Sequence, residues 1–320
     1  MAHRTYNRRV SEPVISVRGL RKSYADVDAV RGIDLEVDRG EIFAFVGPNG
    51  AGKTTTVEIL EGYRRPTGGE ARVLGVDPGS ADRKWRQRVG IVLQECRMQR
   101  ELTVRETLEL YAGYYRAPRP VPRTIELAGL EDKAEARTGS LSGGQRRRLD
   151  VALALIGDPE LVFLDEPTTG FDPTARRHAW GMIASLRELG KTVFLTTHYM
   201  EEAQQLADRV AIIVRGRIVA EGPPDQLGGH DRDTVEISFR LPSGVAVGEL
   251  PASARAAAEK ANGALALQTD RPVEVLNELT GWALERGAPL AGLRVTRPSL
   301  EDVYLRLAAD GESTEEGSGR

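Results

Sequence analysis

Short, almost wholly apolar runs recur along the chain: Ile42–Val46 (IFAFV), Leu161–Leu164 (LVFL) and Thr192–Thr197 (TVFLTT). Runs of that length without polar alternation suit parallel strands covered on both faces. Upstream, Val14–Leu20 and Ala29–Val37 alternate apolar and polar positions, as strands with one wet face do, and are expected to pair antiparallel. Further strands are predicted at Ala71–Val76, Gly90–Leu93 and Arg209–Val214. Helical spacing marks Thr54–Leu60, Val104–Tyr115, Thr124–Leu130, a helix from about Ser142 to Ile156, Thr174–Leu189 and Met200–Ala207. Strands alternating with helices predict a parallel sheet wrapped by helices, an α/β fold.

The pattern changes after Gly222-Pro-Pro-Asp225 and Gly228-Gly229. Beyond this break, strands are predicted at Thr234–Arg240, Leu265–Gln268 and Leu293–Thr296. Helices are predicted at Ala252–Ala261, Val273–Glu285 and Ser299–Leu307. These elements describe a small α+β domain over 230–308, behind a larger domain over 13–227. Residues 1–12 and the polar, low-complexity 309–320 are expected to form a disordered arm and tail.

Composition excludes several function classes. Of 320 residues, 40% are hydrophobic and 28% charged, ordinary for a globular chain. A net charge of −3 provides no basic field for nucleic acid, so none is expected as partner. One cysteine, Cys96, permits no intrachain disulfide and is expected to be a small buried hydrophobe. No apolar run approaches the roughly 20 residues that span a bilayer. The basic N-terminus MAHRTYNRRV lacks the apolar segment of a secretory signal. Any work at a membrane is expected to be that of a peripheral subunit.

The run Ile42–Val46 leads into Gly47-Pro48-Asn49-Gly50-Ala51-Gly52-Lys53-Thr54-Thr55, the spacing of a P-loop. Glycines let consecutive N–H groups turn inward at phosphate oxygens, and the helix that follows favours negative charge at its start. Lys53 can reach the outer phosphates, and the Thr54 hydroxyl can ligate Mg²⁺. The strand Leu161–Leu164 ends in Asp165-Glu166. Asp165, at the carboxyl end of the sheet, is placed to hold Mg²⁺, and Glu166 to polarise a water. In Leu141-Ser142-Gly143-Gly144-Gln145, Ser142 can cap a helix while its hydroxyl and the glycine amides form a second anion site. A chain with one P-loop and a second such site carries a spare half-site.

The set GPNGAGKTT, LSGGQ, LVFLDEP and TTH resembles, in order and over about residues 14–227, the nucleotide-binding domain of ABC ATPases. The resemblance implies a parallel-sheet core with an antiparallel β subdomain and a helical subdomain. It implies two domains pairing head to tail, so that the P-loop of one and the LSGGQ of the other enclose each ATP. It assigns Tyr24 to stacking on adenine, Gln94 to Mg²⁺ and the lytic water, Asp172 to the D-loop and His198 to the γ-phosphate. Catalysis would then rest on Glu166, His198 and Gln94, and Mg²⁺ on Thr54, Gln94 and Asp165. Phe171 stands where leucine is common, and the Pro-rich Arg116–Pro122 replaces part of a longer helix. Arg146–Arg148, after LSGGQ, is expected to be a solvated helix face.

Arg297–Arg306 (RPSLEDVYLR) resembles the C-terminal segment of drug-resistance ABC ATPases, similar to the daunorubicin/doxorubicin exporters that pair with separate ABC-2 type membrane subunits. The implied function is the ATP-hydrolysing subunit of an exporter at the cytoplasmic face of the membrane. It would act as a homodimer, or beside another such ATPase, with a separate multi-span permease. The cargo would be a drug or antibiotic, with lipid or polysaccharide as the alternative. A soluble ABC ATPase acting on ribosomes or DNA is the other reading. Single copies of each motif and the absence of sustained heptads count against it.

Overall fold

The computed structural model describes residues 12–92, 99–227, 235–242, 244–259, 263–296, 300–301 and 304. Residues 1–11 of the expected arm, the tail, Gln94, Cys96 and most of the last expected helix lie outside these residues. Among the described residues, no helix is long and apolar enough to cross a membrane. The chain divides into two compact units between Pro224 and Asp225.

The first unit runs β1 (Ile15–Tyr24), β2 (Val27–Val37), β3 (Ile42–Val46), α1 (Lys53–Leu60), β4 (Gly68–Val73), α2 (Arg83–Arg86), β5 (Val89–Val92), α3 (Val104–Ala112), α4 (Val121–Leu127), α5 (Gly143–Leu155), β6 (Leu161–Asp165), α6 (Pro173–Glu188), β7 (Thr192–Thr197), α7 (Met200–Leu206), β8 (Arg209–Val214) and β9 (Arg217–Gly222). The alternating strands pair antiparallel as β2-β1-β4, and the apolar runs form a second sheet of order β5-β6-β7-β3-β8-β9. β3, β6 and β7 are buried at nearly every position, which their continuous apolar sequence requires. Phe194 of β7 lies at their centre, its ring 5.7 Å from Phe43, 5.8 Å from Phe45 and 5.6 Å from Phe163.

The second sheet departs from the expected parallel arrangement at one edge. β9 runs antiparallel to β8, joined through Arg215 and Gly216 at φ 47° and 78°. Two consecutive positive φ angles make a turn whose twist matches a hairpin. α3, α4 and α5 pack their own core around Leu108, Ile125, Leu130, Leu149 and Ile156. Thr103 and Glu106 close a reciprocal cap at the start of α3.

The second unit contains β10 (Val235–Arg240), β11 (Ala258–Glu259), β12 (Leu265–Thr269), α8 (Pro272–Glu285) and β13 (Ala291–Thr296). Its antiparallel sheet has the order β11-β12-β10-β13, with Ile237, Phe239, Leu267, Val275 and Leu279 in its core. The helix expected at Ala252–Ala261 is corrected. The chain makes one 3₁₀ turn at Ala252–Ala254 and then the strand β11. Ala254 and Ala257 are buried in this core, so packing overrides the helix preference of an alanine-rich stretch.

Glu61 closes α1 and is 7% exposed, with Oε1 lacking any hydrogen-bond partner. Burial first, then the nearby charges of Asp165 and Glu58, push its carboxyl up to about 8. The folded protein therefore holds this proton more tightly than the unfolded chain does. Its contribution to stability is fully present below pH 4.5 and is lost as pH rises through about 8. Glu61→Gln should remove that loss. Denaturant unfolding should find the variant matched to the parent below pH 4.5 and more stable above pH 8, each tenfold difference in proton affinity being worth about 1.4 kcal/mol.

Candidate nucleotide site

Parallel pairing carries three strand ends to one edge of the second sheet. Asp165 of β6 lies beside Thr196 of β7, and Thr197 lies beside Val46 of β3, the last residue before Gly47. This is the carboxyl end of the sheet, where open α/β folds bind ligands.

The loop from Gly47 is tightly seated. A Cβ on Gly47 would stand 2.3 Å from the Ile213 carbonyl oxygen, and one on Gly52 would stand 2.4 Å from that of Ala29. Gly52, at φ 106°, turns the chain into α1. Asn49 and Gly50 are exposed at the tip, Pro48 is half-buried and Ala51 is buried. Lys53 is 4% exposed, and its ammonium donates to the Gly47 and Pro48 carbonyls at 2.7 and 3.2 Å. Thr54 is exposed and Thr55 half-buried at the start of the helix.

Glu166 collects the charge of the site. Its Oε1 lies 3.5 Å from Lys53 Nζ. Its Oε2 accepts from Thr169 Oγ1 at 3.1 Å and lies 3.1 Å from His198 Nδ1. A carboxylate can only accept, so Nδ1 carries the proton in this contact. Burial pushes the Glu166 carboxyl up, but Lys53, Thr169 and His198 together outweigh it and hold it below its ordinary range. The carboxylate is thus ionised at neutral pH. Its backbone is in the left-handed region, at φ 46°.

Thr196 joins the two acids. Its hydroxyl donates to Asp165 Oδ1 and accepts from the Glu166 N–H at 3.1 Å. Asp172 caps α6 through the Thr174 and Ala175 N–H groups, both at 2.9 Å.

Ser142 caps α5. Its hydroxyl accepts from the Gln145 N–H at 3.3 Å, while Gln145 Oε1 accepts from the Ser142 N–H at 2.9 Å. Ser142, Gly143, Gly144 and Gln145 line a cleft of about 920 Å³ together with Glu166 and Asp172. Lys53 and the Gly47–Thr54 loop are not among its walls, although Glu166, 3.5 Å from Lys53, is. Tyr24 stands apart at the end of β1, with Lys22 and Arg64 5.1 and 5.5 Å from its ring centre. Gln94 lies outside the described residues.

Among the described residues, no group of three or more His, Cys, Asp or Glu side chains could hold a metal ion. Mg²⁺ needs no such cage, because it takes one or two protein oxygens and completes its shell with water and substrate phosphates. Thr54 and Asp165 offer hard oxygen donors of that kind, and the glycine-lined loop leaves backbone N–H groups for phosphate. The donor set fits a magnesium–nucleotide complex.

Three contributors escaped sequence reasoning. Thr196 carries only the signal of preceding Thr197-His198. Glu202 is fully buried and accepts from Thr168 Oγ1 at 2.8 Å and Trp180 Nε1 at 3.0 Å, tying the turn after β6 and the helix α6 to α7. Its only signal in the sequence is its place in the first turn of α7, where a helix start favours an acid. Arg147 is a correction: the expected solvated face is wrong for this residue, which is 8% exposed. It donates through Nε to the Pro167 carbonyl and through Nη2 to the Asp165 carbonyl, both at 3.1 Å.

Comparison with known proteins gives concordant results. Residues 30–169 match the family described as ABC transporter, and residues 235–299 match the C-terminal domain described as ABC transporter domain-containing protein-like. The Nod factor export ATP-binding protein I of Ralstonia nicotianae is 41% identical over 308 residues, covering 93% of this chain and 94% of that protein. The daunorubicin resistance ATP-binding protein DrrA3 of Streptomyces coeruleorubidus is 38% identical over 317 residues, covering 97% and 100%. Among solved structures, cbiO1 of Clostridium perfringens, part of the transporter complex cbiONQ, superposes with a TM-score of 0.63 at 25% identity, over 69% of this chain and 93% of that one. The cassette MJ0796, as a post-hydrolysis dimer bound to ADP and Pi, superposes at 0.58 with 26% identity, over 65% and 98%. The β-sheet order, the loop at Gly47–Thr54 and full-length relatives at about 40% identity lead to one conclusion: this chain belongs to the ATP-binding subunits of ABC transporters and is an ATPase.

Proposed function

We propose that the chain drives an exporter through a separate multi-span membrane subunit, hydrolysing ATP between two paired copies, or beside a second ATPase, at the cytoplasmic face. Two named relatives support export: one carries Nod factor export in its name and the other daunorubicin resistance. A drug or antibiotic is the proposed cargo class.

One observation carries the mechanism: the Glu166 side chain stands between Lys53 and His198 at the end of β6. Glu166 is the general base, oriented by Thr169 and His198 so that one oxygen can turn to a water. Lys53 moves from the loop carbonyls to the outer phosphates, and the N–H groups of Gly50 to Thr55 grip the phosphate chain. Tyr24 stacks on adenine. Asp165 and Thr54 would hold Mg²⁺, and Gln94 is assigned to the ion by the family resemblance alone. Bound there, Mg²⁺ would neutralise phosphate charge. Ser142, Gly143, Gly144 and Gln145 face the nucleotide of the paired copy, and Asp172 stands between the two sites.

The pairing places a water-excluded carboxylate against the γ-phosphate only when both halves meet. Glu166→Gln keeps the shape and removes the base. Turnover should fall by about 10²–10⁴-fold while ATP-bound pairs accumulate on size-exclusion chromatography. Normal hydrolysis by the variant would contradict the assignment of the base. Lys53→Ala should lose nucleotide binding itself in equilibrium dialysis, and unchanged affinity would contradict the loop's role. Purification from membranes should recover the chain with a multi-span protein.

A further inference from the structure

We infer that Arg147 is a positioning residue for Glu166, tying the hydrolytic carboxylate to the helix that faces the second nucleotide. The inference rests on the reading of Glu166 as the base.

Glu166 occupies a conformation that its side chain does not favour, φ 46° with a Cβ present. Something outside the residue must hold it there. On one side the Glu166 N–H donates to Thr196 O and Thr196 Oγ1, both at 3.1 Å. On the other, the carbonyls of Asp165 and Pro167, the residues flanking Glu166, both accept from the guanidinium of Arg147. Within the turn the Thr169 N–H donates to the Glu166 carbonyl at 3.3 Å, and Pro167 has no N–H to contribute, so the hold from α5 falls on the two flanking carbonyls. A planar guanidinium suits two diverging acceptors, and a lysine ammonium, a single point charge, does not. Asp150 Oδ2, one helical turn away on α5, lies 3.9 Å from Arg147 Nη1 and supplies countercharge inside the fold.

The origin of this grip matters. Arg147 stands on α5, whose N-terminal cap is Ser142. Five residue steps of about 1.5 Å each lead from one to the other, a rigid link of less than two turns. A push on Ser142 from the paired copy's nucleotide would travel along α5 to the carbonyls on either side of Glu166. The two half-sites of one chain are then coupled by one side chain.

Arg147→Met and Arg147→Lys in the full chain test this. Arg147→Met should lower kcat by about 10–100-fold, the scale of a small misplacement at a reacting centre, with KM within about two-fold and ATP-dependent pairing retained. Arg147→Lys, which keeps the charge without the fork, should fall between it and the parent. In a Glu166→Gln background, Arg147→Met should add less than about a two-fold loss, because the group it positions is already gone. An unchanged kcat would overturn the inference. So would kcat and KM worsening together with lost pairing, which would make Arg147 a brace for α5 alone. A full additional loss in the Glu166→Gln background would also overturn it. If Arg147→Met fails to fold, Arg147→Lys decides: its kcat must fall without a matching fall in melting temperature, and any other result overturns the inference. Should Glu166→Gln alone hydrolyse ATP normally, the base assignment fails whatever Arg147 does.

Discussion

Glu166 is held in a left-handed backbone turn between two carbonyls that both accept from Arg147, with its own N–H committed to Thr196. That turn decides where the carboxylate points. It depends on β6 being buried along its apolar length, on β7 lying beside it in register, and on α5 approaching close enough for an arginine to reach through. The second sheet, the aromatic cluster around Phe194 and the packing of α5 all serve this one geometry. The charges around Glu166 act on it afterwards: Lys53 and His198 keep the acid ionised, and the backbone keeps it aimed.

In the proposed reading, one half of the nucleotide cradle is nearly complete within one chain: the loop, Lys53, Thr54 and Asp165 would supply phosphate and metal contacts from one side. The capped start of α5 at Ser142 opens onto a cleft lined by Glu166 and Asp172 but not by the loop. A site whose second wall faces elsewhere makes physical sense when two copies exchange walls. The dimeric cassette MJ0796 bound to ADP and Pi is a structural relative consistent with that arrangement.

Much of this was legible in the sequence, for reasons that can be named. β3, β6 and β7 read correctly because strands buried on both faces need unbroken apolar runs. The loop at Gly47–Thr54 and the cap at Ser142 were legible because backbone geometry demands glycine at one and a short hydroxyl at the other. β9 was not legible: its residues alternate between half-buried and exposed, and RIVAEG holds too few apolar positions to announce a strand. Ala252–Ala261 misled because alanine favours helices in isolation, yet here packs into a small sheet core. Arg147 was hidden because α5 buries residues around most of its circumference from Leu149 onwards, so no polar face marked it as inside. Glu202 was hidden because an acid in a helical run is ordinarily solvated.

If each hydrolytic centre is built from two chains, mixing two inactive variants measures it directly. Lys53→Ala destroys the loop half and spares Ser142, and Ser142→Arg destroys the capped half and spares the loop. A mixed pair contains one centre with both lesions and one with neither. Shared centres predict that each variant alone is inert and that ATP hydrolysis reappears on mixing. Activity that stays absent in the mixture, with mixed pairs demonstrably formed, would contradict them, as would full activity of Ser142→Arg alone.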